Sequence, residues 1–163
     1  MKTLFLMRHA KSSWDNPELA DFDRPLNQRG LKAAAFMGKL MKERGIEPDL
    51  ILSSPARRAA HTAQIVKREG QLLAEISYDE KIYEASPLTL LYLLKRVDNA
   101  VNSLLLIGHN PGFESLLKLL TSETRSMPTA ALAKITMLIE NWSDINEHCG
   151  KLEFLIKPKE EMR

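Results

Sequence analysis

Three short apolar runs, Leu4 to Met7, Leu50 to Leu52 and Leu104 to Ile107, punctuate the first two-thirds of the chain. None alternates apolar with polar residues, which is the pattern of a strand buried on both faces in a helix-covered parallel sheet. Segments with helical periodicity follow each of them. Residues 28–44 carry Leu31, Ala34, Ala35, Gly38 and Met41 along one face, with Asn27 as the N-cap. Residues 55–68 and 111–120 each open on a proline, whose missing N–H costs little in a first helical turn. Leu88, Leu91 and Leu94 predict a further helix over 87–96. Ile76 to Tyr78 reads as a short strand. Ala131 to Ile139 and Leu152 to Ile156 read as two strands paired antiparallel around a loop at 141–150. Residues 157–163 read as a frayed, flexible charged tail. No repeat, low-complexity stretch or linker divides the chain, so the pattern predicts one α/β domain over 1–163.

Composition narrows the function classes. Hydrophobic residues make up 44% and charged residues 27%, ordinary for a globular chain and contrary to disorder. The formal net charge is only +2, and lysines and arginines are spread along the chain. No nucleic-acid partner is expected on that basis, and any basic patch must be assembled locally by the fold. Cys149 is the single cysteine, so no intramolecular disulfide forms and a reducing cytoplasm is the expected setting. Cys149 has no CxxC partner and no nearby His-Glu pattern, and no metal or cofactor is expected. The apolar run near the N-terminus stops at Arg8, short of a signal-peptide core. No stretch approaches the ~20 apolar residues of a membrane span, and no membrane association is expected.

The chemistry lies at the carboxyl ends of the three buried strands. The first delivers Arg8-His9, the second Ser53-Ser54-Pro55 followed by Arg57-Arg58, and the third Gly108-His109-Asn110-Pro111. Open α/β sheets bind ligands outside the carboxyl ends of their strands, so the three clusters are predicted to converge. Two of them also open a helix, whose free N–H groups and dipole favour an anion. Two histidines and at least two arginines around such a crevice suit a phosphate. Each residue has an ordinary structural alternative, as a packed histidine or a solvated arginine. Their agreement in order and in position relative to the strands is what points to a site.

LMRHAKSSW, SSPARRAAHTA and IGHNPG, in that order, resemble the histidine phosphatase superfamily, also called phosphoglycerate mutase-like. The short length, the RHAKSSW opening and the DFDRPLNQRG segment are similar in particular to its SixA-type phosphohistidine phosphatase branch. The resemblance covers residues 3–120. It implies a three-layer fold with a mostly parallel central sheet flanked by helices. It also implies a metal-independent phosphatase acting through a phosphohistidine enzyme intermediate, on protein phosphohistidine or, alternatively, on a small phosphorylated metabolite. A non-catalytic phosphate-binding module is the reading from a different class.

Position by position, the resemblance makes His9 the nucleophile and Arg8 an arginine that grips the phosphoryl oxygens. Ser54-Pro55-Ala56-Arg57-Arg58-Ala59 puts the second arginine at Arg58, not Arg57. His109 becomes the second histidine of the pocket, expected as an imidazolium, and Glu84 the acid that protonates the leaving group. His9 has to be neutral to attack, with one ring nitrogen fixed by a backbone carbonyl and its pKa lowered by the arginines. Lys11, Ser12 and Asn16 are candidates for the substrate rim. Trp14 either walls the mouth or anchors the loop, and Arg24 is either a rim cation or a partner of Asp21 or Asp23. His61 is expected on the helix surface or behind the site, and His148 in a surface loop. Ala10 replaces the family's usual glycine, which permits less backbone freedom and less close approach. The short chain leaves little room for a lid, so an open site is expected.

Overall fold

The computed structural model describes residues 1–162. Six strands form one sheet: β1 (Lys2–Arg8), β2 (Leu50–Ser53), β3 (Ile76–Tyr78), β4 (Ser103–Gly108), β5 (Leu132–Met137) and β6 (Gly150–Ile156). Their spatial order is β3-β2-β4-β1-β5-β6. The first four strands run parallel, and β5 and β6 add an antiparallel edge beside β1. Four main helices cover the faces: α1 (Gln28–Glu43), α2 (Arg57–Gly70), α3 (Pro87–Lys95) and α4 (Gly112–Thr121).

The period-two side-chain alternation of a strand divides each apolar run between two cores. Leu4, Leu6, Leu104 and Leu106 point to the layer of α3 and α4, where they pack among Leu90, Leu94, Phe113 and Leu117. Phe5, Met7, Leu105 and Ile107 point to the opposite layer and meet Met37 and Met41 of α1 and Ile65 and Val66 of α2. The register sets Leu4 against Leu104 and Met7 against Ile107, so β1 and β4 end together at Arg8 and Gly108. The mostly parallel, three-layer α/β architecture is the one expected.

The helix starts differ in detail. Asn27 caps α1 by accepting the N–H of Gly30 at 2.8 Å, as read from the sequence. Gly30 also lies where a Cβ would run into the backbone carbonyl of Lys11, so the glycine lets α1 close onto the loop after β1. Pro87 opens α3 behind Ser86, whose hydroxyl accepts from Thr89 N at 3.1 Å. Pro55 and Pro111, in contrast, stand just outside their helices, which begin at Arg57 and Gly112. At Pro55 the cause is local: Ser54 Oγ accepts Ala56 N–H at 3.2 Å and holds the chain in a turn before the helix starts.

The expected frayed tail is corrected over most of its length. Pro158–Glu161 forms a one-turn helix, α5, that packs against α1. Pro158 is buried and Glu161 meets Arg44 at 3.5 Å. A proline pre-set for a first helical turn and an apolar contact with α1 account for order that a charged sequence conceals. Arg163, the last residue of that expected tail, lies outside the described residues.

Candidate functional site

Three of the four parallel strands, β1, β2 and β4, lead at their carboxyl ends into the same crevice. His9 follows β1, and its amide donates to Gly108 O at 3.0 Å, tying the first cluster to the third. Ala130 N reaches Arg8 O and His9 O, closing the other flank. The His9 ring is buried, only 6% exposed. Its Nδ1 lies 2.7 Å from Ala10 O, a bond in which the nitrogen must be the donor. The tautomer so fixed leaves Nε2 with a free lone pair. Arg58 Nε donates to that Nε2 at 3.4 Å, and the ring of His109 lies 5.1 Å away, centroid to centroid.

Burial is the main force on the His9 pKa, pushing it down to about 3. The bond to Ala10 opposes the shift, while His109, Arg58 and Arg8 reinforce it. His9 is therefore neutral at pH 7, in the form a nucleophile requires. His109 is also buried, with Nε2 2.8 Å from Ser54 Oγ. Burial, followed by Arg58 and Arg8, lowers its pKa to about 4 against the pull of Asp21. In the free protein, two buried rings beside two guanidinium groups rest neutral, so the imidazolium expected at His109 belongs to the loaded site. A dianionic phosphoryl group between them would reverse the balance and favour the protonated ring.

The two arginines are held differently. Arg8 donates from Nη1 to Met127 O at 3.2 Å. Glu114 Oε2 organises that corner, accepting from Asn110 Nδ2 and from Met127 N, each at 2.8 Å. Arg58, on the first turn of α2, is buried, whereas Arg57 beside it is exposed, in keeping with the alignment that chose Arg58. Arg58 donates from Nη1 to Asp21 O at 2.7 Å and from Nη2 to Asp21 Oδ2 at 2.9 Å. Asp21 also accepts from Tyr83 Oη at 2.6 Å and from Arg24 Nε at 3.1 Å. Burial alone would raise the Asp21 pKa, but the bonds from Tyr83 and Arg58 win and bring it to about 2. Tyr83, half-buried beside that carboxylate, is pushed up to about 12 by partial burial and by its bond to Asp21, and sets its ring edge-on to His109 at 5.4 Å.

Among the described residues, three buried side-chain N or O atoms lack a hydrogen-bond partner: Arg8 Nε, His109 Nδ1 and Asn110 Oδ1. All three belong to this cluster. Ala10 is accommodated without a left-handed backbone: it is not among the residues with positive φ, and its N–H donates to Thr62 Oγ1 at 3.0 Å. Thr62 Oγ1 in turn donates to Arg58 O at 2.7 Å, linking the loop after the nucleophile to α2.

Glu84 sits on the rim with φ 55°. It helps line a groove of about 420 Å³ shared with Ser86, His109 and Asn110. The rim residues expected near the nucleophile in sequence do not gather there. Ser12 Oγ accepts from Arg24 Nη1 at 2.6 Å, and its backbone bridges Leu26. Asn16 is exposed and its Oδ1 accepts from Glu18 N at 3.1 Å. Lys11 is exposed and lines a separate recess with Arg29 and Lys32. Trp14 is 75% exposed, with the Arg24 guanidinium 3.5 Å above its ring, so it is not a buried anchor. Arg24 pairs with Asp21, one of its two expected partners. His61 is half-buried on α2, and His148 is an exposed loop residue bonded to Ser122 Oγ.

Asp21, Tyr83 and Thr62 were not singled out from the sequence as site residues, whereas Ser54 lay within the second predicted cluster. Of the first three, only Asp21 had a signal there, as a possible partner of Arg24 within DFDRP. Tyr83 and Thr62 reach the site through tertiary contacts that no local pattern encodes. No group of three or more His, Cys, Asp or Glu among the described residues is arranged to hold a metal ion. No helix among them is long and apolar enough to cross a membrane.

The histidine phosphatase superfamily (branch 1) matches residues 4–88, a stretch that contains His9, Arg58 and Glu84. An uncharacterized protein of Mycobacterium tuberculosis is 31% identical over 157 residues, covering 90% of this chain and 96% of its own length. A crystal structure from Agrobacterium tumefaciens, described as a candidate phosphohistidine phosphatase SixA, aligns with a TM-score of 0.81 and 31% identity. That alignment covers 96% of this chain and 99% of the other. The protein histidine phosphatase SixA, solved with tungstate, shares the fold at a TM-score of 0.84 and 23% identity over 98% and 99% of the two chains. This chain belongs to the histidine phosphatase superfamily, and its fold is that of the SixA structures within it.

Proposed function

We propose that this protein hydrolyses a phosphoryl group carried on a histidine side chain of another protein, by way of a phosphohistidine at His9. The observation that carries the reading is the fixed tautomer of His9: Nδ1 is tied to Ala10 O at 2.7 Å, and Nε2 is left unprotonated, accepting a long bond from Arg58 Nε at 3.4 Å. A phosphate-binding module has no need of a neutral, desolvated, oriented imidazole. Arg8 Nε and His109 Nδ1 hold hydrogen-bonding capacity in reserve, which suits phosphoryl oxygens whose charge develops during transfer. The tungstate of the SixA relative is an oxyanion of similar charge and shape, in keeping with an anion site in this fold.

In the first step the His9 Nε2 lone pair attacks phosphorus while the bond from phosphorus to the substrate nitrogen breaks. Arg8, Arg58 and His109, protonated as the dianion binds, balance the charge on the three oxygens. The departing imidazole takes a proton from the Glu84 carboxyl or from solvent. In the second step water, deprotonated by Glu84, attacks the phosphohistidine, releasing inorganic phosphate and restoring His9. Positioning and fixed positive charge supply the catalysis, with no cofactor or metal called on, and we assign the protein to the cytoplasm.

A substrate panel tests the reading. Wild type is expected to clear phosphohistidine from a protein with a higher kcat/KM than it shows for sugar phosphates or nucleotide-derived esters, and to keep its activity with chelator present. Preference for a small ester would transfer the assignment to a metabolite phosphatase.

A further inference from the structure

Beside the crevice, on the α1 side, lies a recess of about 300 Å³ lined by Lys11, Arg29, Lys32 and Lys159, with no carboxylate in its lining among the described residues. None of the four cations forms an ion pair among the described residues. Four uncompensated charges in one place stand out on a chain whose formal net charge is only +2. Arg29 and Lys32 lie in the first two turns of α1, where the helix dipole disfavours cations, and no acidic residue of the first turn offsets them. Helix stability does not account for their placement. The floor between the cations is apolar, formed in part by Pro128 and Pro158.

Both walls of the recess are tied to the nucleophile. Lys11 lies two residues beyond His9, and its carbonyl accepts from Asn27 N at 3.0 Å, just before α1. The opposite wall, at Pro128, lies between Met127, whose carbonyl holds Arg8, and Ala130, whose amide reaches Arg8 O and His9 O.

We infer that this recess docks an acidic segment, bearing apolar side chains, of the protein that presents the phosphorylated histidine. The inference rests on the phosphatase reading for its biological sense. Charge complementarity selects an acidic partner. The apolar floor selects a polypeptide over a nucleic acid, since no aromatic residue lines the recess to stack a base.

The test compares wild type with the double variant Arg29→Glu/Lys32→Glu, whose helix dipole favours the new charges and so preserves the fold. For a phosphohistidine-bearing acidic protein, kcat/KM is expected to fall about 10- to 100-fold, with turnover of an aryl phosphate unchanged. A second arm measures binding of a fluorescent Glu- and Leu-containing peptide to His9→Ala, with and without the two reversals. Binding that weakens with the reversals and with salt supports the docking surface even if neither substrate is turned over, so the two readings fail separately. Peptide binding indifferent to the reversals would overturn the surface, as would equal loss of activity on protein and aryl substrates. Binding of a duplex oligonucleotide as tight as that of the peptide would overturn its assignment to an acidic protein.

Discussion

Asp21 and Arg58, 37 positions apart, are joined by two hydrogen bonds: the aspartate's own carbonyl takes Nη1 and its carboxylate takes Nη2. That double grip leaves Arg58 Nε to donate to the unprotonated Nε2 of His9 at 3.4 Å. Asp21 is thereby a positioning residue for the arginine that faces the nucleophile. Asp21→Asn removes the carboxylate while sparing the carbonyl contact. The expected outcome is a fall in kcat of about 10-fold with a smaller change in KM for a small aryl phosphate, because misplacement of a charge costs most in the transition state. Steady-state kinetics on the purified variant decide it; an unchanged kcat would remove Asp21 from the account.

The buried histidines make the protein acid-sensitive in a definite window. Their folded pKa values, about 3 for His9 and about 4 for His109, lie below the ordinary imidazole value of 6.5. The unfolded chain therefore binds more protons between those limits, and stability falls as pH drops from about 6.5 toward 3. His9 alone corresponds to roughly 3–5 kcal/mol across that window. Asp21, with its folded pKa depressed to about 2, adds stability that is present above about 4 and lost as pH falls through 2. Urea midpoints followed against pH are expected to decline below 6.5, and less steeply in His9→Ala. NMR titration is expected to find both rings neutral at pH 6 in the free protein and His109 shifted upward with tungstate bound.

Glu84 carries a prediction that depends on the leaving group. Glu84 lines the groove that His109 also lines, and His9 does not line it. Glu84→Gln is expected to slow aryl or alkyl phosphate turnover by about 10²-fold, the ordinary range for a lost general acid. Phosphohistidine turnover is expected to change far less, because imidazole leaves more readily than an alkoxide. Equal losses on both substrates would reassign Glu84 to binding.

Much of this site was legible from the order of a few residues relative to buried strands. Arg8-His9, Arg58 and Gly108-His109 each follow an apolar run, and parallel pairing of β1, β2 and β4 necessarily brings the ends of those runs together. The choice of Arg58 over Arg57 came from the family resemblance, and Arg58 is buried where Arg57 is exposed. Ser12 and Asn16 show the limit of sequence proximity. The loop after β1 folds back on itself through Ser13 N to Pro25 O at 2.8 Å, which engages Ser12 with Leu26 and Arg24. Tyr83 was hidden for the opposite reason, since it meets Asp21 across 62 positions. The charge state of His109 in the free protein was not legible, because it depends on burial and on the sum of nearby cations, neither of which a motif displays. α5 escaped notice because a single turn has no periodicity to detect.

Ala10 yields a stability prediction rather than an activity one. It is fully buried and lies outside the positive-φ region. Restoring the family's glycine therefore removes a buried methyl group as well as adding freedom to the unfolded chain. Ala10→Gly is expected to lower stability by about 0.5–1 kcal/mol, read from the urea midpoint, with kcat within about twofold of wild type. A gain in stability would show that alanine strains the loop.

The claim that His9 is the nucleophile is tested most directly by trapping the enzyme-bound phosphoryl group. Wild type mixed with an aryl phosphate and quenched rapidly at alkaline pH is expected to gain the mass of one phosphoryl group, acid-labile and mapped to His9 by peptide sequencing in the mass spectrometer. His9→Ala is expected to gain none and to lose turnover while remaining folded. A phosphoryl group found on another residue, or undiminished turnover in His9→Ala, would contradict the account.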